Sequence, residues 1–210
     1  MYYGERFNSI SHLVGTILAI TGTVLLIIRG AIHGTAYDVV SSAIYGATLI
    51  LLYGASTIYH TIRSAKIKAI LQKLDHCSIY LLIAGSYTPY ALVTLRGGWG
   101  WSIFGVVWGL AIIGIIQEFL FAKGARILSL ALYLLMGWLV LVAIVPIVRQ
   151  LPNWGLFWLA AGGVFYTVGV YWYVNDEKIR HGHGIWHLFV LAGSIAQFIS
   201  IYGWVIGYGI

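Results

Sequence analysis

The segment His181-Gly182-His183-Gly184-Ile185-Trp186-His187 stands at the head of the last apolar run of the chain. His183 and His187 are four residues apart. On a helix that spacing sets both imidazoles on one face, roughly 5–6 Å apart at Cβ. Two such nitrogens can share a metal ion, as in other helical His-x-x-x-His sites. The alternative is a pair of interfacial histidines facing lipid headgroups. What separates the two readings is where the other His and Asp residues fall, and that depends on the elements carrying them.

The chain has 210 residues, of which 60% are hydrophobic and only 9% charged. So few charges cannot cover a water-soluble surface, so the pattern is that of a polytopic membrane protein. A span needs about 20 apolar residues. The 210 residues therefore hold an all-α, seven-transmembrane helix bundle, read as a single domain over 1–210. The expected spans are 10–28, 39–60, 77–95, 99–121, 127–148, 154–174 and 183–208. Pro89 should kink the third. Trp99, Trp101, Trp154, Trp186 and Trp204 lie near span ends, as an interfacial aromatic belt requires. Gly22, Gly46, Gly54, Gly109 and Gly137 suit close helix packing.

The net charge of +6 does not point to nucleic acid, because the basic residues flank spans, where they set orientation and meet anionic lipid. Counting alternate loops, one side collects Arg6, Arg63, Lys66, Lys68, Lys73, Lys123, Arg126, Lys178 and Arg180, and the other only Arg29, Arg96 and Arg149. The positive-inside rule then makes the amino terminus cytoplasmic. The first apolar run is span-length without a small-residue cleavage site, so it is expected to stay as an anchor. Cys77 is the single cysteine, which excludes an internal disulfide.

With the spans in place, His60 ends the second, Asp75 and His76 open the third, and His183 and His187 open the seventh. All five fall at the cytoplasmic edge, with Ser11 and His12; His33 lies on the other side. Ionisable groups at span edges are costly, so they read as functional. Three imidazoles suit zinc, which takes tetrahedral nitrogen and oxygen ligands and keeps a position open in catalytic sites. His60, His183 and His187 are the expected direct ligands. Asp75 would hold the metal's water, support a ligand from outside or serve as a fourth ligand. Ser56, one turn before His60, would hydrogen-bond an oxyanion or back-bond to the carbonyl four residues earlier. The structural alternatives are a helix-terminal histidine for His60 and an N-cap for Asp75.

His76 points about 100° away from Asp75 on a helix and reads as structural or substrate-facing. Ser11 and His12 should line the cytoplasmic mouth, and His181 should be solvated. Glu118 is expected to pair with Lys123 or Arg126, and Gln197 to find a partner inside the bundle or line a cavity. A thiolate-ligand role for Cys77 is disfavoured.

Ser56-Thr57-Ile58-Tyr59-His60, Asp75-His76 with Tyr80, Ala84-Gly85 and Tyr87-Thr88-Pro89, and His183-x-x-x-His187 resemble the hemolysin III branch of the progestin and adipoQ receptor family. Glu5-Arg6, Asn8, Ser11-His12 and Gly15 resemble its bacterial members. The resemblance covers nearly the whole chain. It implies seven helices, a cytoplasmic amino terminus and zinc near the cytoplasmic face. The family's metal residues would fall on His60, Asp75, His183 and His187, with its serine at Ser56. The family is also similar to alkaline ceramidases, which implies hydrolysis of a lipid amide. Its bacterial members carry a hemolysin name, implying pore formation, and are linked to membrane lipid homeostasis. The large extramembrane amino-terminal region of receptor members has no counterpart in these residues, which argues against a hormone receptor.

The expected function is thus a zinc-dependent intramembrane hydrolase of a lipid amide or ester, in a bacterial plasma membrane, with membrane lipids as substrate or ligand. The alternatives are a pore-forming cytolysin and a non-catalytic receptor or regulator in which zinc locks the helices. Spans that are almost wholly apolar away from one edge speak against a pore within one chain.

Overall fold

A lipid-exposed backbone must satisfy its own hydrogen bonds, and for these long apolar stretches the helix is the form that does so. The computed structural model describes residues 4–120 and 126–208. Within them run seven helices long and apolar enough to cross a membrane, and no strand. They are α1 (Arg6–His33), α2 (Ala36–Thr61), α3 (Ala65–Pro89, continued by a π-helical turn Tyr90–Leu95) and α4 (Gly97–Leu120). α5 (Arg126–Gln150), α6 (Asn153–Val174) and α7 (Gly182–Trp204) complete the bundle. The chain is an all-α, seven-helix polytopic membrane protein.

α1 packs on α2, α2 on α3 and α6 on α7, and α7 closes back onto α1. Tyr45, Tyr53 and Tyr80 are fully buried between them, while Ile17, Val24, Ile112 and Phe157 face outward. A Cβ at Gly22 would run into the Phe198 ring and one at Gly46 into Thr23, so these two glycines permit close helix approach. Gly54, Gly109 and Gly137 face open space, so close packing does not explain them.

Several boundaries differ from the hydropathy reading, among them the end of α1 at His33 rather than 28. α1 begins at Arg6 rather than 10, so Arg6, Phe7, Asn8 and Ser9 are already helical. α3 begins at Ala65 rather than 77, and Lys66, Lys68 and Lys73 ride on it. Charges lower the hydropathy of that stretch without breaking its helix. Asp75 is therefore ten residues inside a helix and is not an N-cap; Ser64 occupies that position. α7 ends at Trp204, short of 208. Phe121, assigned to the fourth span, and Lys123 lie outside the described residues.

Two spans change helical form. At Pro89 the α-helix gives way to the π turn Tyr90–Leu95, consistent with the missing proline donor. α5 is interrupted by a 3-10 stretch, Trp138–Ala143, just before Pro146. That ring would clash with the carbonyl four residues earlier and donates no hydrogen bond. Tyr87 from α3 fits the break: its hydroxyl donates to the Gly137 carbonyl at 2.8 Å and accepts from Val140 N–H at 2.8 Å.

Candidate metal centre

The last turn of α2 supplies His60, and the first turns of α7 supply His183 and His187. One ligand nitrogen from each lies within 4.8 Å of the other two. The ring centroids are 5.2 Å apart for His60 and His183, 5.0 Å for His60 and His187, and 4.7 Å for His183 and His187. His60 and His187 are buried and His183 is partly so.

The two nitrogens of each ring are used differently. His60 Nδ1 is 2.6 Å from Glu5 Oε2, and His183 Nδ1 is 2.9 Å from Asp176 Oδ2. His187 Nδ1 faces the Asn8 carbonyl at 3.3 Å and the Ser11 hydroxyl at 3.4 Å. Ionised carboxylates and carbonyls only accept, so these contacts put the proton on Nδ1. That leaves a lone pair on each Nε2. All three Nε2 atoms are buried and meet no hydrogen-bond partner among the described residues. Three clustered imidazoles, each with an unfilled Nε2 lone pair, fit a metal ion, and imidazole donors suit zinc, copper, iron or nickel. The three histidines are positioned to hold one.

Charge around the site is arranged to match. Burial pushes the Glu5 carboxyl up, but hydrogen bonds from His60 and Lys68 outweigh it and hold the group well below the usual carboxylate range. At Asp176 the same opposition is won by Arg126 and His183, which hold it low. Both carboxylates are thus anionic beside the imidazoles.

Ser56, Asp75 and His12 line the near end of a cavity whose wall does not include the three histidines themselves; His12 links the two by stacking on His187. The Ser56 hydroxyl is buried beside Asp75 with no well-formed hydrogen bond among the described residues, so it is not back-bonded to its own helix. Asp75 lies outside the three-histidine group. His12 stacks on His187, centroids 3.6 Å apart and rings 12° from parallel. It sits deeper than a mouth residue, and both its nitrogens are buried without partners among the described residues.

From this end a cavity of about 430 Å³ runs into the bundle. It reaches Ile147, Val148 and Leu156 at the far end, and its wall is mainly apolar. Leu134 and Leu141 of α5 and Ala160 and Val164 of α6 flank it. The backbones of α5 and α6 rarely come close, although Trp138 Nε1 donates to Thr167 Oγ1 at 3.2 Å and Arg126 to the Tyr173 carbonyl, and the cavity occupies the gap between the two helices. Gln197 lines it too, accepting from the Tyr90 hydroxyl at 3.2 Å.

Other candidates fall elsewhere. His76 turns away from the histidines, its Nδ1 3.5 Å from Glu118. Glu118 also accepts from Ser129 at 2.5 Å. The expected Glu118 pairing with Arg126 is not formed, because Arg126 reaches Asp176 at 2.7 Å; Lys123 lies outside the described residues. His181 is exposed. Cys77 is buried and absent from the metal-capable group. The contacts of Glu5 and Asp176 with the site were not legible in the sequence, since neither shares a helical register with the histidine it touches.

A seven-helix membrane bundle with a metal-capable histidine triad at one end and an apolar cavity leading from it defines the class. The chain belongs to the haemolysin III family: a family profile described as Haemolysin-III related matches residues 2–198. It is 44% identical to "Hemolysin-3" of Bacillus cereus, over 96% of this chain and 92% of that protein. It is 43% identical to the "Hemolysin-3 homolog" of Bacillus subtilis, over 94% of this chain and 92% of that one. A more distant relative, "Monocyte to macrophage differentiation factor" of Homo sapiens, is 29% identical over 95% of this chain and 84% of that protein.

Proposed function

We propose that this protein is a zinc-dependent intramembrane hydrolase of a lipid amide or ester, serving membrane lipid homeostasis. We place it in a bacterial plasma membrane with its amino terminus and histidine site at the cytoplasmic side. The observation that carries this reading is the clustering of three histidines with unfilled Nε2 atoms near an apolar cavity that Asp75, Ser56 and His12 line and lipid-facing helices flank.

His60, His183 and His187 would hold the metal. When bound, zinc supplies a Lewis acid and lowers the pKa of water to about 7. Asp75 accepts a proton from the attacking water and returns it to the leaving amine or alkoxide as the acyl C–N or C–O bond breaks. Ser56, whose hydroxyl is otherwise unused, donates to the developing oxyanion. The apolar wall between α5 and α6 receives the acyl chain sideways from the bilayer and keeps bulk water away.

The test pairs metal content with hydrolysis of ceramide-like amides and phospholipid esters. Zinc-dependent fatty-acid release supports the reading, and zinc without turnover on any lipid moves it to a metal-locked regulator. A second reading, a cytolysin, is favoured by the name of the Bacillus cereus relative. Against a pore within one chain stands the mainly apolar cavity wall. Dye leakage from lipid vesicles at low protein density, undiminished by His187→Ala, would favour it.

A further inference from the structure

Behind the candidate ligands lies a second layer of charge built the same way twice. His60 Nδ1 meets Glu5 Oε2 at 2.6 Å, and Glu5 Oε1 in turn accepts from Lys68 Nζ at 2.7 Å. His183 Nδ1 meets Asp176 Oδ2 at 2.9 Å, and Asp176 Oδ1 in turn accepts from Arg126 at 2.7 Å. Asn8 Nδ2 also donates to Glu5 at 2.8 Å. Each chain thus runs imidazole, carboxylate, cation, and its members come from segments far apart in sequence. Glu5 lies just before α1 and Asp176 in the α6–α7 connection, while Lys68 and Arg126 stand near the starts of α3 and α5.

An exposed ion pair would account for little of this, because such pairs contribute about 0–1 kcal/mol and need no histidine. Both carboxylates are instead largely covered, at 20% and 13% exposure, and each spends one oxygen on the ring nitrogen opposite an unfilled Nε2. We propose that Glu5 and Asp176 are positioning residues of the metal centre. They fix the Nδ1–H tautomer, aim Nε2 and set two negative charges behind a divalent transition-metal ion. The amino-terminal arm and the α6–α7 connection are thereby parts of the centre. This rests on reading the three imidazoles as metal ligands. A carboxylate behind a ligating imidazole raises its basicity, and losing such a partner typically costs about 10–100-fold in metal affinity.

The experiment titrates cobalt(II) into metal-stripped, full-length protein in detergent, following affinity and the visible ligand-field absorption. The proteins compared are wild type, Glu5→Gln, Asp176→Asn, Asp176→Glu and, as an exposed charge on the same edge, Lys66→Gln. Glu5→Gln and Asp176→Asn are expected to weaken cobalt binding about 10–100-fold and to alter the band shape. Asp176→Glu should recover much of the loss, and Lys66→Gln should match wild type. Thermal unfolding of the metal-free proteins serves as the control for folding. Wild-type affinity in both Glu5→Gln and Asp176→Asn overturns the proposal while leaving the ligand reading intact. So does a lowered metal-free stability with unchanged affinity. A wild type that binds no cobalt overturns both.

Discussion

At the scale of single residues, the division of labour between the two ring nitrogens decides the chemistry. An imidazole whose Nδ1 is held by an acceptor and whose Nε2 is buried and unmet is prepared for an electrophile. Ser56 and Asp75 stand beside that group without belonging to it, so metal binding and turnover should separate by mutation. Asp75→Asn is expected to keep metal content at the wild-type level and to lower lipid hydrolysis by about 10²–10⁴-fold, the usual weight of a general base. Ser56→Ala is expected to keep the metal and reduce kcat by about 10²–10³-fold, as for loss of an oxyanion donor. Full activity in Asp75→Asn, measured as fatty-acid release, would remove it from the reaction.

The histidine spacing, Ser56 and Asp75 could all be picked out in the sequence, because helical periodicity and span edges bring them to one end. The partners of Nδ1 could not. Glu5 meets His60 across 55 residues, and Asn8 meets His187 across 179. No local period encodes such contacts.

At the scale of elements, hydropathy located all seven helices but not their internal form. It truncated α3, because Lys66, Lys68 and Lys73 dilute the average while remaining compatible with a helix. It also passed over the break in α5, because the flanking residues are uniformly apolar and only Pro146 marks it. Tyr87 bridges that break with two hydrogen bonds, to Gly137 and from Val140. Tyr87→Phe leaves the part-buried Val140 N–H and the outward-facing Gly137 carbonyl without this partner, and is expected to cost about 1–3 kcal/mol, read as a lowered Tm in detergent.

Glycine pairs offer a second check on packing. Gly46→Val must push into Thr23 and should destabilise by about 1–3 kcal/mol. Gly54→Ala meets open space and should be neutral or stabilising by up to about 1 kcal/mol. Equal effects at the two positions would contradict the α1–α2 interface described here.

For the whole molecule, the asymmetry of the bundle matters most. α1, α2, α3 and α7 form the better-buried part, while α5 and α6 present most of their surface outward and approach each other at few points over the cavity. On the proposed function, a lipid chain would reach the histidine end through this gap without crossing the tightly packed helices. Gly163 lines this cavity with open space at its Cβ. Gly163→Phe is expected to lower kcat/KM for long-chain lipids roughly 10–200-fold, the weight of an apolar pocket contact, with metal content unchanged. Unchanged kinetics would exclude this gap as the route.

The central claim, that His60, His183 and His187 hold a metal ion, is tested most directly by elemental analysis. The protein is purified without added metal, as wild type and as His60→Ala, His183→Ala, His187→Ala and His76→Ala. Expected is near-stoichiometric zinc in wild type and in His76→Ala, and loss from each of the other three. A wild type free of zinc and of any other transition metal, or full metal retention in His187→Ala, would contradict it.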